Sequence, residues 1–243
     1  MPKNEYSISQ NFLTSRRVID GLLRLTDISP ADTVLEIGAG KGHITRALAE
    51  ICGRVLTYEI DPALAARLQG SLPPNVSLYG QDFLRAPLPK GDYKVFANIP
   101  FSITTDILRK LTGGSNPPKA AWLIMEKGAA MRFCGQPRES SISLLLKPWW
   151  EVRIVHRLRR EDFHPMPRVD CVLLELRYKS APDIPLRDRR TWAQFVARGQ
   201  QYGLRGMLTT RQTAQALRES GIPMSATLRY VQWLCLFRCW KRK

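Results

Sequence analysis

A glycine-rich turn is the first part of the sequence whose residue types suit chemistry. Gly38-Ala39-Gly40-Lys41-Gly42 follows the β-rich run Thr33–Ile37 and precedes a helix-compatible segment. Glycines at such a turn let a ligand approach the backbone at the N-terminus of a helix. The spacing is GxGxG, which matches neither the GxGxxG of dinucleotide binders nor a phosphate-binding GxxxxGK[ST] loop. The turn therefore predicts a ligand without a pyrophosphate, although by itself it is also compatible with a plain strand-to-helix connection.

Two carboxylates follow the next two predicted strands. Glu59, with Ile60 beside it, lies about 20 residues beyond the turn, where a carboxylate can accept hydrogen bonds from both hydroxyls of a ribose. Asp82, with Phe83 beside it, follows the third strand and suits the amino group of an adenine. An adenosine site without a phosphate chain describes S-adenosylmethionine, which leaves S-adenosylhomocysteine after methyl transfer. The predicted cofactor site is therefore Gly38, Ala39, Gly40, Glu59, Ile60, Asp82 and Phe83.

The chain is strongly basic and shows no membrane or metal signature. Its 243 residues include 37 Lys and Arg against 21 Asp and Glu, a formal net charge of +16. Such a charge favours polyanions, because each neutralised phosphate releases condensed counterions. No apolar run approaches the roughly 18 residues of a membrane span, and the three His and five Cys lack metal-ligand spacing. We therefore expect a soluble, cytoplasmic monomer that binds nucleic acid, without membrane association and without a metal.

Predicted strands and helices alternate over the first three-quarters of the chain. After Thr33–Ile37, strands are predicted at Arg54–Ile60, Val76–Tyr79, Tyr93–Ala97 and Ala120–Met125, and helices at Gly42–Ile51, Pro62–Ser71 and Thr104–Leu111. This alternation predicts right-handed βαβ crossovers and a parallel sheet. The runs Trp150–Leu158 and Val169–Tyr178 leave no room for a helix between them, so they should pair antiparallel and complete an α/β sheet of about seven strands.

The character of the chain changes after Lys179. Ser180–Pro185 is typical of a linker, and helical patterns follow at Asp188–Tyr202, Thr210–Ser220 and Ser225–Trp240. Residues 181–243 hold twelve basic and three acidic side chains. We therefore predict two domains, an S-adenosylmethionine-dependent catalytic domain over residues 1–179 and a small basic helical domain over residues 180–243.

Several ordered motifs extend over nearly the whole chain. They are Ser9-Gln10-Asn11-Phe12-Leu13-Thr14-Ser15, Glu36-Ile37-Gly38-Ala39-Gly40-Lys41-Gly42-His43, Tyr58-Glu59-Ile60-Asp61, Gln81-Asp82, Asn98-Ile99-Pro100-Phe101 and Phe163-His164-Pro165-Met166-Pro167-Arg168-Val169-Asp170. Together they resemble the Erm family of rRNA adenine N6-methyltransferases. The resemblance implies a Rossmann-like class I methyltransferase sheet with a small C-terminal helical domain, and it implies that residues 180–243 bind RNA.

The resemblance assigns the chemistry to Asn98-Ile99-Pro100-Phe101, after the fourth predicted strand. An adenine amine is a poor nucleophile because its lone pair is delocalised into the ring. The Asn98 side-chain oxygen and the Ile99 carbonyl would each accept one N6 hydrogen and turn the lone pair toward the methyl group. Pro100 would hold the backbone, and Phe101 would stack on the base, which is usually worth about 1–3 kcal/mol. Without the resemblance, the four residues also read as an ordinary Asn-initiated turn.

The resemblance implies further contacts around the target base. Phe163 would close the second face of a flipped adenine, whereas the sequence alone is equally compatible with a phenylalanine in the core. Gln10, Asn11 and Leu13 would contact the cofactor together with Asn98 and help to form the target pocket.

The implied substrate is one unpaired adenine in the peptidyl-transferase loop of 23S rRNA. Macrolide, lincosamide and streptogramin B antibiotics bind there, so methylation would confer resistance to them. An unpaired adenine costs least to flip into a pocket. Phosphates would be held by Arg153, Arg157, Arg159, Arg160 and Arg168, which flank the predicted pocket loop; a solvated face is the other interpretation of these arginines.

Three other functions are compatible with the same sequence. A small-subunit rRNA adenine dimethylase is the nearest, although Asn98–Phe101 and Gly40–His43 resemble the Erm motifs more than its Leu-containing motif. A non-catalytic rRNA-binding assembly factor is less consistent with intact Glu59, Asp82 and Asn98. A DNA adenine methyltransferase would need a base-reading domain larger than the short helical tail.

Overall fold

The computed structural model describes residues 11–223 and 227–242. Its strands are β1 (Phe12–Leu13), β2 (Thr33–Ile37), β3 (Arg54–Tyr58), β4 (Val76–Tyr79), β5 (Lys94–Asn98), β6 (Ala120–Glu126), β7 (Trp150–Leu158), β8 (Phe163–His164) and β9 (Cys171–Tyr178). Its helices are α1 (Arg16–Leu23), α2 (His43–Ile51), α3 (Pro62–Leu68), α4 (Thr104–Gly113), α5 (Lys127–Cys134), α6 (Ser141–Leu146), α7 (Arg189–Tyr202), α8 (Thr210–Glu219) and α9 (Tyr230–Lys241).

A seven-stranded sheet has the order β4-β3-β2-β5-β6-β9-β7. The pairs β3–β4, β2–β3, β2–β5 and β5–β6 are parallel, and β9 runs antiparallel to β6. The first six residues of β6 are all buried, as expected for a strand covered on both faces. The predicted Rossmann-like class of fold is therefore confirmed, with about the predicted strand bounds.

The order of the strands determines where a ligand can bind. The chain proceeds outward from β2 to β3 and β4, then returns to the other side of β2 as β5. This reversal opens a crevice at the carboxyl ends of β2 and β5, which is where ligands bind in such sheets. Gly38 follows β2 directly and Asn98 is the last residue of β5, so the two predicted motifs meet at this crevice.

A two-stranded ribbon lies apart from the main sheet and was not predicted. β1 pairs antiparallel with β8, so that Phe12 is opposite His164 and Leu13 is opposite Phe163. Leu13 and Phe163 both belong to a core cluster that includes Phe96 and Trp122. The ribbon thus anchors the chain segment after Asn11 to the body of the sheet.

The chain divides into two compact units. The first extends to Ala130 and adds Arg153–Tyr178; the second comprises Met131–Val152 and the described residues from Lys179 onward. The predicted domains differ from these units in residues 131–152, which sequence reasoning assigned to the catalytic domain. They join the helical unit because α6 pairs with α7: the Trp192 indole donates to the Leu144 carbonyl at 2.9 Å, and Ser141 donates to Gln200 at 2.6 Å.

Three further features concern membrane spans, the cysteines and the start of the last helix. None of the helices in the described part of the chain is long and apolar enough to cross a membrane. All five cysteines are free thiols. The last helix begins at Tyr230, five residues later than predicted from the pattern starting at Ser225, a residue that lies outside the described ranges.

Candidate active site

A cavity of about 370 Å³ opens at the carboxyl ends of the parallel strands. It is lined by Asn11, Phe12, Leu13, Gly38, Ala39, Gly40, Lys41, His43, Ile44, Glu59, Ile60, Asp82, Leu84, Asn98, Ile99, Pro100, Phe101, Ser102 and Ile103. The structure therefore brings most of the predicted cofactor and chemical residues to one cavity. Gln10 lies outside the described residues, and Phe83 does not line the cavity.

The glycine-rich turn is fixed by the strand ends beside it. The amides of Gly38 and Ala39 both donate to the Tyr58 carbonyl, at 2.8 and 3.1 Å. Gly40 has a φ of +55°, a left-handed conformation that favours glycine. A Cβ on Gly40 would also lie 2.8 Å from the Phe12 ring. At Gly40 the wall of the cavity therefore has room for bare backbone only.

Glu59 is a buried carboxylate that holds this turn. Glu59 is only 4% exposed, yet it lines the cavity. One oxygen accepts from the Gly40 amide at 2.7 Å and the other from the Asp61 amide at 2.9 Å. Each carboxylate oxygen accepts more than one hydrogen bond, so Glu59 retains acceptor capacity for two vicinal hydroxyls. This arrangement fits the ribose of S-adenosylmethionine.

Asp82 and its neighbours form the next part of the wall. The Asp82 carboxylate accepts from the Leu84 amide at 2.8 Å, and both residues line the cavity. Phe83 is buried and packs edge-on against Tyr58, with ring centroids 5.7 Å apart. Its ring therefore supports the wall from behind, and any contact of Phe83 with the cofactor would come from its backbone.

Asn98 is held by a single hydrogen bond to the ribbon segment. Its side-chain nitrogen donates to the Asn11 carbonyl at 2.7 Å. Because the donor end of the amide is committed, its oxygen is the end that remains to accept from a ligand; within the described residues it has no donor partner. The next residue, Ile99, uses its amide on the Ile124 carbonyl at 3.2 Å. The turn Asn98–Phe101, which we call the corner, can thus offer oxygens to an incoming amine.

Pro100 and Phe101 complete this corner. Pro100 has a φ of −60° and precedes a 3₁₀ turn over Phe101–Ile103. Its carbonyl accepts from the Ile103 amide at 3.3 Å. Phe101 is half-buried against the core cluster and lines the cavity, so part of its ring is available for stacking.

The predicted stacking role of Phe163 is not supported by its position. Phe163 is 4% exposed, belongs to the core cluster and does not line the cavity. The reason is its register in the ribbon, which places it opposite the buried Leu13. In this position Phe163 packs in the core with Leu13 and anchors the segment that carries Asn11 and Phe12.

The five predicted phosphate-binding arginines fall into two groups. Three are paired with carboxylates: Arg153 with Glu175, Arg159 with Asp162 at 3.2 Å and Arg160 with Asp170 at 3.0 Å. Arg157 and Arg168 are exposed and, in the part of the chain that the structure describes, have no carboxylate within ion-pair distance. The second group is therefore the one with uncompensated charge.

Glu36 is a residue near the site that sequence reasoning did not single out. It is 1% exposed, and one of its oxygens accepts from the hydroxyls of Thr45 and Thr57 at 2.6 and 2.7 Å. The other oxygen has no hydrogen-bond partner within the described residues. The pKa of Glu36 is raised to about 8, mainly by burial, and the charge of Glu59 contributes to the rise. The signal that could have found it is a carboxylate inside the otherwise apolar strand β2.

Comparisons with known proteins agree with this geometry. A family model described as ribosomal RNA adenine dimethylase matches residues 1–241. An rRNA adenine N-6-methyltransferase of Limosilactobacillus reuteri is 34% identical over 244 residues, covering 99% of this chain and 98% of that protein. An rRNA methyltransferase of Streptomyces thermotolerans is 33% identical over 240 residues, covering 94% and 80% respectively.

Solved structures show the same fold. The 23S rRNA methyltransferase ErmE matches with a TM-score of 0.82 and 28% identity, over 95% of this chain and all of that one. A dimethyladenosine transferase from Plasmodium falciparum matches with a TM-score of 0.67 and 22% identity, over 91% of this chain and 86% of that one. The second likeness concerns the fold alone. The class I methyltransferase fold expected from the sequence is thus confirmed.

Replacing Glu36 by glutamine should change how stability depends on pH. The folded state keeps the Glu36 proton up to a pH of about 8, whereas the unfolded chain loses it near 4.5. The stabilising contribution of the protonated group is therefore complete below the lower value and is lost as the pH rises through the higher one. In urea unfolding from about pH 5 to about pH 9, the wild-type free energy of unfolding should fall more steeply than that of Glu36→Gln. Parallel curves would contradict the assignment.

Replacing Glu59 by alanine should weaken S-adenosylmethionine binding. The variant loses the acceptors for the ribose and leaves the Gly40 amide without its partner. Hydrogen bonds to a charged group are worth about 1.5–3 kcal/mol, which corresponds to a loss of roughly 10- to 100-fold in affinity. Isothermal titration calorimetry measures this affinity. The matched control is Glu50→Ala, which removes an exposed carboxylate that is paired with Arg16. Equal affinities for Glu59→Ala and the control would exclude the ribose role.

Proposed function

Because the chain belongs to the ribosomal RNA adenine dimethylase family, we propose that it transfers a methyl group from S-adenosylmethionine to the N6 of one unpaired adenine in the peptidyl-transferase loop of 23S rRNA. Membership makes it an S-adenosylmethionine-dependent rRNA adenine N6-methyltransferase, and the chain resembles the Erm-family enzyme ErmE in fold and in sequence. Methylation at that loop would confer resistance to macrolide, lincosamide and streptogramin B antibiotics. We propose that it acts as a monomer in the cytoplasm.

The observation that carries the proposal is the pairing of a nucleoside site with an amine-accepting corner in one cavity. Glu59 and Asp82 lie on one part of its wall, and Asn98, Ile99 and Phe101 lie on another. The cofactor would be held by Asn11, Leu13, Gly38, Ala39, Gly40, Glu59, Ile60, Asp82 and Asn98, with the backbone of Phe83. When bound, S-adenosylmethionine supplies an electrophilic methyl group on a sulfonium.

Asn98 would activate the target amine by hydrogen bonding rather than by removing a proton. Its oxygen and the Ile99 carbonyl accept one N6 hydrogen each, which rotates the nitrogen lone pair out of conjugation and toward the methyl carbon. Pro100 has no amide proton to compete for these acceptors. The N6 proton is acidic once the nitrogen has become cationic, so it passes to water and no carboxylate base is needed. Phe101 stacks on the adenine and holds its plane.

The RNA would be held by cations that are not already neutralised. Arg157 and Arg168 fit this role better than Arg153, Arg159 and Arg160, whose charges are compensated by carboxylates. We also propose that the helical domain over residues 180–243 contacts RNA. Two aspartates of this domain already form ion pairs with lysines of the same compact unit: Asp183 with Lys179, and Asp188 with Lys241. Exposed arginines such as Arg198 and Arg211 are left to attract phosphates.

A second candidate is a methyltransferase of small-subunit rRNA. This candidate is consistent with the description of the family as a dimethylase. It is also consistent with the fold that the chain shares with the dimethyladenosine transferase. The identity of 28% with ErmE, a 23S rRNA methyltransferase, favours the large subunit.

Tritiated methyl transfer to purified ribosomal RNA distinguishes the two candidates. The protein is incubated with labelled cofactor and with large-subunit or small-subunit rRNA, and the modified base is mapped by primer extension. We expect label in 23S rRNA, at one adenine of the peptidyl-transferase loop. Label in small-subunit rRNA alone would establish the second candidate, and binding of both RNAs without any transfer would point to an assembly factor.

Replacing Asn98 by alanine should abolish transfer while sparing the cofactor. The variant loses the side-chain acceptor and the bond to the Asn11 carbonyl; misplacing a reacting group costs about 100-fold or more in rate. Single-turnover kinetics give the rate. Calorimetry in the same preparation should give an S-adenosylmethionine affinity close to that of the wild type, because Asn98 is one of several cofactor contacts and the ribose acceptor Glu59 is intact. Asn98→Asp retains an acceptor but loses the donor to Asn11, so it should also be slow. Near-normal transfer by Asn98→Ala would disprove the role of the amide.

A further inference from the structure

Lys41 is the one lysine or arginine among the described residues that line the active-site cavity. It lies in the glycine-rich turn and is exposed. Its ammonium lies 5.1 Å from the centroid of the Phe12 ring, a cation–π distance. Within the described ranges no carboxylate is within ion-pair distance of it. The lysine is thus held at the mouth of the cavity with its charge uncompensated.

Arg46, on α2, is a second cationic group beside Lys41, and His43 at the start of that helix is neutral near pH 7. The Arg46 guanidinium donates to the carbonyls of Lys41 and Gly42 at 3.1 and 3.2 Å, and to the Ser71 hydroxyl at 3.3 Å. The pKa of His43 is lowered, first by burial and then by the charges of Arg46 and Lys41. Lys41 and Arg46 form a feature that we name the basic rim; His43, whose pKa is lowered, adds no charge to it at neutral pH. Its positive charge is reinforced by the N-terminal end of α2.

The part of the cavity wall formed by Glu59 and Asp82 carries the opposite charge. A phosphate is therefore repelled from the nucleoside end. A nucleotide that delivers its base to Asn98 must keep its phosphate outside, where the rim lies. Because Lys41 is exposed, its charge faces the solvent, where it is accessible to an RNA backbone.

We propose that Lys41, seated on Phe12, is a phosphate-binding site for the RNA backbone next to the flipped adenine. The inference rests on the proposed function and assigns a contact within it. The ammonium pairs with a phosphate oxygen while the base occupies the corner formed by Asn98 and Phe101. The Phe12 ring keeps the lysine chain over the cavity, and the pairing of Phe12 with His164 in the ribbon keeps the ring in place.

The test compares Lys41→Gln with Lys90→Gln. Lys90 is also exposed, but it lies before the amino end of β5, whereas the cavity is at the carboxyl end of that strand. A labelled transcript of the peptidyl-transferase loop is titrated with each protein in the presence of S-adenosylhomocysteine at several salt concentrations. Loss of one phosphate contact on single-stranded RNA should reduce the slope of log K against log salt by about 0.7. We expect this change, with a weaker affinity, for Lys41→Gln and not for Lys90→Gln, and Lys41→Arg should restore it.

The cofactor affinity distinguishes the two anionic groups to which Lys41 could bind, an RNA phosphate and the carboxylate of the cofactor. S-adenosylmethionine carries a carboxylate, so calorimetry of Lys41→Gln with the cofactor alone is the second measurement. Unchanged cofactor affinity with a reduced salt slope supports the proposal. A loss of cofactor affinity with an unchanged slope overturns it in favour of the carboxylate, and no change in either overturns it outright. Failure of the proposed function would appear separately, as wild-type protein that does not methylate the transcript.

Discussion

The hydrogen bond from the Asn98 side chain to the Asn11 carbonyl decides what the active site can do. An asparagine amide has a donor end and an acceptor end, and the two exchange places when the group rotates by half a turn. With its nitrogen bound to a carbonyl, rotation would set two oxygens against each other and lose the bond. The amide oxygen is therefore the end that meets a ligand. A site built to hold an amine by its hydrogens needs this orientation, and one backbone carbonyl supplies it.

That carbonyl is itself placed by packing elsewhere. Asn11 precedes a two-residue strand that has little stability alone, since a short isolated ribbon buries almost nothing. Its partner strand contributes Phe163, and Leu13 and Phe163 are both buried in the core cluster. Burial of these two side chains stabilises the ribbon and so fixes Asn11. Phe163 thus affects the chemistry from the core, through backbone position, and a cavity there would loosen Asn98 without removing any group that touches a substrate.

Much of the site was predictable because parallel strands bring distant residues to one edge. Glu59, Asp82 and Asn98 each end or follow a strand that hydrophobic pattern alone locates, and topology then requires them to meet. The ribbon was not predictable, since two residues show no periodicity. Neither was the burial of Phe163, which depends on register between segments about 150 residues apart. The grouping of residues 131–152 with the helical unit depends on contacts such as Trp192 with Leu144, which no local pattern contains.

The charges of the cavity resolve an apparent conflict between its two ligands. A protein with a net charge of +16 attracts RNA at long range, yet its cofactor site is lined by Glu59 and Asp82. Keeping them charged excludes phosphate from the interior, and the basic rim then attracts it to the mouth. The charge of Glu59 contributes to the raised pKa of Glu36, which therefore remains protonated near neutral pH and adds no further negative charge. The interior thus holds enough negative charge to bind hydroxyl and amino groups without repelling the RNA that must reach Asn98.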